Sequence, residues 1–371
     1  MNIAHRSPPR RILHIVGRMD RAGAETMIMN IYREIDRSQY QFDFIYFTSD
    51  RCDFDDEIEA LGGRIFHASG SNSITRSLNL WRILRKNNWT VVQSHTLFSS
   101  GLNLLAAKVA GVPRRIAHSH NTSDINSVSV IGRFYQFCMR WILAWVSTDC
   151  VACGKAAASY LFTDKEHVEI IPNAVDICRF IEANGYATKK ALAIPDGVIT
   201  ILQVGRLMAV KNHNWSVRLA AALKDAGIDF QMLFVGDGPD SDAIKEQINF
   251  LGLQQNIRLL GVRHDIPELM AASDVMLMPS LYEGFPVVLV ESQASGLPAV
   301  ISNTIYPEVD LGLGLVHFVE LDNSPQCWIE KVLNSIKQPE VDLLIRQQRL
   351  ETHGFSSKAG ALRLVSLYRF S

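Results

Sequence analysis

Short apolar runs alternate with amphipathic segments along nearly the whole chain, the pattern of parallel strands crossed by helices. In the first half, strands are expected at 12–16, 42–47, 64–67, 90–94, 115–118, 150–152 and 168–171. Helices fall between them, for instance at 24–35, 77–85, 100–110 and 131–145. The run Ile171-Pro172-Asn173-Ala174-Val175-Asp176 is a proline-punctuated polar break, with Asn184-Gly185 soon after, and it marks a domain boundary. The alternation then restarts, with strands expected at 199–204, 230–235, 257–260, 275–278 and 299–301. Helices are expected at 212–226, 240–251, 266–271 and 287–295, and 355–371 reads as a closing helix. The spacing predicts an α/β protein built as two Rossmann-like halves in tandem. In such sheets ligands bind beyond the carboxyl ends of the strands, so chemistry is sought in the loops there.

Composition narrows the picture. A length of 371 residues favours two domains over a single core. Thirty-seven basic against 38 acidic residues leave a net charge of −1, which gives no whole-chain attraction to nucleic acid. An anion must therefore be caught by a local arrangement. The basic residues Arg6, Arg10 and Arg11 precede an apolar run that stops at Gly17, with no small-residue cleavage site after it. That reads as a first buried strand rather than a signal peptide. No stretch of 18 apolar residues occurs, so no membrane-spanning helix is expected. Of the six cysteines only Cys150 and Cys153 have metal or redox spacing, and no second pair completes a zinc site. They read as buried thiols, which suits a reducing cytoplasm.

Five segments carry candidate chemistry. Gly17-Arg18-Met19-Asp20-Arg21-Ala22-Gly23-Ala24-Glu25 joins the first strand to the first helix, where glycine lets backbone approach a ligand and a helix N-terminus offers N–H groups to an anion. It lacks the G-x-G-x-x-G dinucleotide fingerprint, so a nicotinamide cofactor is not supported, and a plain turn is the other reading. Gly205-Arg206-Leu207-Met208-Ala209-Val210-Lys211 puts two cations in the loop leaving the second half's first strand. Arginine forks onto phosphate oxygens and lysine adds a point charge, which together neutralise a leaving diphosphate without a metal. Gly236-Asp237-Gly238-Pro239 is a tight turn, and Asp240-Ser241-Asp242 after it reads as helix capping rather than as a metal clamp.

The most informative segment is Glu283-Gly284-Phe285-Pro286-Val287-Val288-Leu289-Val290-Glu291. Pro286 suits the first turn of a helix whose free N–H groups face a ligand. Glu283 is placed to reach a bound sugar, and Glu291 to accept hydrogen bonds from ribose hydroxyls. An unpartnered Glu291 in an apolar run is costly, which favours a ligand. In the first half, Ser94-His95-Thr96 and His118-Ser119-His120-Asn121 end two strands. Imidazoles there can bind sugar hydroxyls or assist proton transfer from an acceptor hydroxyl. His-x-His also suits a metal, but no third ligand lies near in sequence and none is expected.

These pieces in this order resemble the retaining glycosyltransferases of family 4, of GT-B fold, with the bacterial exopolysaccharide and capsule branch nearest. The likeness covers nearly the whole chain, and Glu283-x7-Glu291 is its most specific motif, with Gly261-Val262-Arg263 in agreement. The resemblance implies two doubly wound domains facing across a cleft. Residues 1–172 with 355–371 would bind the acceptor, and 173–354 the nucleotide-sugar donor. Arg206 and Lys211 would hold the diphosphate, the 261–263 backbone the base, Glu291 the ribose, and Glu283, beside Gly236, Phe285, Pro286 and Val287, the donor sugar. Gly23 would lie near the reaction centre, with His120, His118 and His95 lining the acceptor. Family members often carry paired glycines where this chain has Ala22-Gly23-Ala24, so close donor approach there is the weaker part of the match.

The implied reaction moves a hexose or N-acetylhexosamine, from a UDP-sugar by family habit, to a saccharide or lipid-linked saccharide with retained configuration and no cofactor. A GT-B epimerase or hydrolase, or a non-catalytic sugar-nucleotide binding module, are the competing readings. The segment 131–146 is aromatic-rich, with Arg133, Gln136 and Arg140 on one stripe. It reads either as a dock for an anionic bilayer or as a helix packed on the sheet with its polar stripe outward. A cytoplasmic protein, on the inner membrane face in the docking case, is expected.

Overall fold

A computed structural model of the chain describes residues 8–21, 23–70, 72–121, 129–163, 167–173 and 175–369. Arg6, Ala22, Ala174 and the last two residues of the closing segment lie outside these. The chain divides into two compact units, Met1–Ala174 with Gly354–Ser371, and Val175–His353.

The first unit holds seven strands: β1 (Arg10–Ile15), β2 (Tyr40–Tyr46), β3 (Arg64–His67), β4 (Val91–Ser94), β5 (Arg114–Ser119), β6 (Asp149–Ala152) and β7 (Val168–Ile170). They form one parallel sheet in the order β3-β2-β1-β4-β5-β6-β7. Strand β1 is the switch point, because the order runs outward from it in both directions. The last helix, Ser357–Tyr368, packs on helix Gly23–Glu34, and its Ala361, Leu364 and Tyr368 belong to the first unit's core beside Phe42 and Phe44.

Asp43 in β2 is a wholly buried charge that the hydrophobic pattern hid. It is clamped by Arg11 at 2.6 Å, by Arg64 at 2.6 Å and by the Trp89 indole N–H at 2.8 Å. Burial pushes its carboxyl pKa up, but these hydrogen bonds more than reverse that and hold it below the usual carboxylate range.

The second unit holds β8 (Ile199–Val204), β9 (Phe230–Val235), β10 (Ile257–Leu259), β11 (Val275–Met278), β12 (Ala299–Ser302) and β13 (Val316–Val319). The parallel order is β10-β9-β8-β11-β12-β13. Strand β13 is not apparent from the sequence, because the glycines at 312 and 314, both with positive φ, make the segment before it read as a loop. Trp328 on helix Pro325–Ser335 fills the core against Trp215, their ring centroids 4.5 Å apart.

Two local expectations are corrected. Asp240 stands at the N-cap of helix Ser241–Phe250 but makes no capping hydrogen bond, and Asp242 instead pairs with Lys245 at 3.0 Å. Helix Val130–Val146 turns two residues of its polar stripe inward and leaves Arg133 exposed: Gln136 is buried with Met139, Leu143 and Val146, and Arg140 donates to the Tyr160 carbonyl at 2.7 Å. The outward face carries Val130, Phe134, Phe137, Trp141 and Trp145, with Trp141 70% exposed.

Candidate functional site

In the second unit, loops following β8, β9, β10 and β11 are knitted together. Gly205 N–H donates to the Val235 carbonyl at 2.9 Å, Leu207 N–H to Asp237 at 3.0 Å, and Gly236 N–H to Gly261 at 2.8 Å. Leu281 N–H donates to the Val210 carbonyl at 2.8 Å. Gly236, at φ 132°, packs so closely that a Cβ there would collide with the Gly205 carbonyl. Asn212 holds a left-handed backbone at φ 55°, and its Nδ2 donates to the Pro279 carbonyl at 3.0 Å, tying the β8 loop to the β11 loop. Nothing in the sequence marked Asn212 beyond its place after Lys211.

On this frame Lys211 Nζ lies 2.7 Å from Glu283 Oε1, both side chains largely buried. The lysine stem passes over Gly205, where a Cβ would come within 3.3 Å of it. Arg206 is exposed and makes no hydrogen bond or ion pair among the described residues. The Glu283 loop leads through Phe285 to Pro286, which sits at the N-cap of helix Val287–Ser295 rather than inside its first turn, and no side chain caps that helix. Its first N–H groups are thus left for another partner.

Glu291, on the same helix, has no hydrogen bond or ion pair among the described residues. Burial pushes its pKa up to about 7, with Arg179 pulling weakly the other way. A buried carboxylate without partners is expensive, and two vicinal hydroxyls would satisfy it. Gly261 has φ 66° and Val262 is exposed, while the Arg263 guanidinium is already forked onto Asp265 at 2.8 and 2.5 Å. A bound base would meet backbone at 261–263 rather than an unoccupied guanidinium.

In the first unit, Gly23 begins helix Gly23–Glu34 and is exposed. Two residues on, burial raises Glu25 to a pKa of about 7, assisted by nearby Asp20. The histidines predicted from strand ends are brought together, joined by one the sequence did not flag. His14 of β1 places Nδ1 3.0 Å from His95 Nε2, and His95 Nδ1 lies 2.8 Å from His120 Nε2. His120 Nδ1 lies 3.4 Å from Asn173 Oδ1. His118 is wholly buried, its ring centroid 4.0 Å from that of His120, so direct contact with a ligand falls to His95 and His120, which are half-buried.

Burial lowers His14 to a pKa of about 3 and His120 to about 4, and it also lowers His95 and His118. The cluster is therefore neutral at physiological pH. Signals for His14 and Asn173 existed only as a lone strand histidine and a loop asparagine, neither distinguishable from ordinary core and turn residues.

Residues 187–343 match the profile described as "Glycosyl transferases group 1", and residues 21–179 match that of "Glycosyltransferase Family 4". EpsF of Bacillus subtilis (strain 168), whose name marks it a glycosyltransferase, is 38% identical over 376 residues, covering 98% of each chain. The UDP-Gal:alpha-D-GlcNAc-diphosphoundecaprenol alpha-1,3-galactosyltransferase of Escherichia coli is 29% identical over 239 residues, 61% of each chain. The crystal structure of Anabaena HepE in complex with UDP superposes with a TM-score of 0.78 at 18% identity, over 96% of this chain and 99% of that one. Two Rossmann-like parallel sheets with this set of strand-end loops define a GT-B sugar transferase. The chain belongs to glycosyltransferase family 4 and is a glycosyltransferase.

Proposed function

We propose that this glycosyltransferase takes a hexose or N-acetylhexosamine from a UDP-sugar and transfers it, with retained configuration and no metal, to a lipid-linked saccharide in polysaccharide synthesis. One observation carries the donor half of the reading. An exposed Arg206, a Lys211 within reach of Glu283, an uncapped helix at Val287–Ser295 and an unpartnered Glu291 lie on loops and a helix of one unit.

A diphosphate supplies the anion that Arg206 and the helix N-terminus lack, and it competes with Glu283 for Lys211. A ribose supplies the hydroxyls that Glu291 lacks. As the glycosidic bond to the diphosphate breaks, negative charge grows on the leaving oxygen, where these cations and N–H groups stabilise it. The acceptor oxygen bonds to the anomeric carbon from the face the diphosphate leaves, and its proton passes to the departing phosphate. Retention follows from that single-face exchange.

The acceptor is assigned to the first unit, at His95 and His120. UDP in HepE and the UDP-Gal of the E. coli enzyme's name favour a uridine donor, and that enzyme's diphosphoundecaprenol substrate favours a lipid-linked acceptor. The exposed face of helix Val130–Val146 is read as the element that meets the membrane. Its apolar side chains recur at helical spacing, and Arg133 on the same helix and Lys108 beside Trp145 supply positive charge. No helix among the described residues is long and apolar enough to cross a bilayer. Surface docking from the cytoplasmic side is the arrangement proposed.

Thermal-shift measurements with UDP, GDP and ADP sugars test the donor, since a ligand that binds the folded state raises the melting temperature. A uridine-selective rise is expected, with transfer unaffected by EDTA. Loss of transfer in EDTA would overturn the metal-free reading.

A further inference from the structure

Two hydrogen-bonded chains end in the histidine cluster of the first unit. One runs His14–His95–His120–Asn173. The other begins at the Tyr368 hydroxyl, which donates to Gln93 Oε1 at 2.7 Å, and Gln93 Nε2 lies 2.8 Å from His118 Nδ1. Tyr368, Gln93, His118 and His14 are all wholly buried. His14 Nε2 and His118 Nε2 have no hydrogen-bond partner among the described residues.

A chain of neutral imidazoles holds one proton per link, so its ends dictate every tautomer. The Tyr368 hydroxyl has a hydrogen to donate and Gln93 as its partner, which sets Oε1 toward the tyrosine and the amide N–H toward His118. His118 Nδ1 then accepts and its own proton sits on Nε2, a buried N–H without a partner among the described residues; turning the Gln93 amide over would strand the Tyr368 O–H instead. In the other chain, Asn173 Oδ1 accepts from His120 Nδ1–H. His120 Nε2 accepts from His95 Nδ1–H, and His95 Nε2 from His14 Nδ1–H. His14 Nε2 is left as a bare lone pair among Phe42 and Phe44, where the reverse order would strand an N–H.

One nitrogen from each of His95, His118 and His120 lies within 4.8 Å of the others, a spacing open to a metal. In the proton order set by the chains, the one lone pair on each of these rings (His95 Nε2, His118 Nδ1 and His120 Nε2) already accepts a hydrogen bond, so none is open to a metal.

We propose that His14 and Tyr368 are positioning residues that fix His120 as an Nδ1–H hydrogen-bond donor to an oxygen of the acceptor sugar, and not as a proton acceptor. His14 acts through His95. Tyr368 acts through Gln93 and His118, whose ring centroid lies 4.0 Å from that of His120 and so holds its place, while the proton on His120 is set through His95 and Asn173. The closing helix thereby reaches the site across 275 positions of sequence from Gln93. This rests on the reading of the cluster as the acceptor site. The weak 3.4 Å contact to Asn173 is the one a sugar oxygen would displace.

Long-range proton–nitrogen correlation spectra of the full chain, labelled with 15N-histidine, read the tautomers without turnover. The expected result is Nδ1–H at His14, His95 and His120, and Nε2–H at His118. Tyr368→Phe, which keeps the ring, shifts His118 toward a mixture. It also raises the acceptor KM by about tenfold, the order of one hydrogen bond, with kcat little changed. His14→Leu does the same through His120, and His14→Asn, whose amide N–H replaces Nδ1–H, restores the wild-type KM.

His120→Asn keeps a donor at the Nδ1 position and retains more turnover than His120→Ala. An Nε2–H tautomer at His120 in the wild type, or imidazole resonances unmoved by Tyr368→Phe, would overturn the proposal. If instead the tautomers are as stated and His120→Ala transfers sugar normally, the proposed role at the acceptor fails with the acceptor-site reading. The proton assignment alone would survive that result.

Discussion

Lys211 Nζ and Glu283 Oε1 stand 2.7 Å apart, joining residues 72 positions distant in sequence on loops of two adjacent strands. Each neutralises the other while no diphosphate is bound, so neither charge is stranded in its half-buried surroundings. A nucleotide diphosphate competes with Glu283 for the ammonium. Lys211→Met is expected to lower kcat/KM by about 10²-fold or more, the loss typical of one preorganised stabilising group. Removing the ammonium also leaves Glu283 unpaired in largely buried surroundings, so the melting temperature should fall as well. Steady-state kinetics beside a thermal melt check both halves, and unchanged turnover would remove the diphosphate assignment.

Glu291 predicts a proton flux. Its pKa of about 7 reflects burial without a partner. Ribose hydroxyls donate to the carboxylate and favour its ionised form, so UDP binding at pH 6.5 should release protons. Calorimetry in two buffers of different ionisation enthalpy measures this directly. In Glu291→Gln the buffer dependence should vanish and affinity should fall, whereas equal heats in both buffers for the wild type would contradict the ribose role.

Gly236→Ala tests the loop frame. Its φ of 132° is strained for any side chain, and the new methyl would strike the Gly205 carbonyl. A stability loss of about 1–3 kcal/mol is expected. UDP-sugar affinity should fall with it, because the displaced Gly205 loop carries Arg206 and Lys211. Urea denaturation and a binding titration separate the two effects.

The buried histidines predict acid sensitivity, and the sign follows from their depressed values. The unfolded chain takes up protons near the usual 6.5, whereas folded His14 resists until about 3 and His120 until about 4. Stability is full above 6.5 and falls as the pH drops toward 3, by up to about 1.4 kcal/mol per pH unit per histidine. Glu25 and Glu291, both raised to about 7, act in the opposite sense between 4.5 and 7. The His14 share is therefore read from His14→Phe, whose urea midpoint should fall less between pH 6.5 and 5 than that of the wild type. Equal slopes would show that His14 charges freely.

Membrane docking is checked by co-sedimentation with vesicles containing anionic lipid. Trp141→Ala/Trp145→Ala should remain in the supernatant where the wild type pellets, since each buried indole contributes a large apolar area. Retained binding by the double variant would move the contact elsewhere.

Periodicity alone determined most of the elements. Strands 64–67, 199–204, 230–235 and 275–278 and helix 287–295 were legible residue for residue, because glycine, proline or aspartate stands at or near both ends of each. The Glu283-x7-Glu291 motif and the two-domain α/β plan were equally plain. Pairings between distant side chains were not, because local sequence fixes an element's face but not its neighbour. Lys211 with Glu283, Asp43 with its two arginines, and His14 with His95 and Tyr368 with Gln93 exist only once the sheet order sets β1 beside β4 and the closing helix on the first core. The orientation of helix Val130–Val146 was decided the same way. Its composition permitted either face inward, and packing buried Gln136 and left the tryptophans outside.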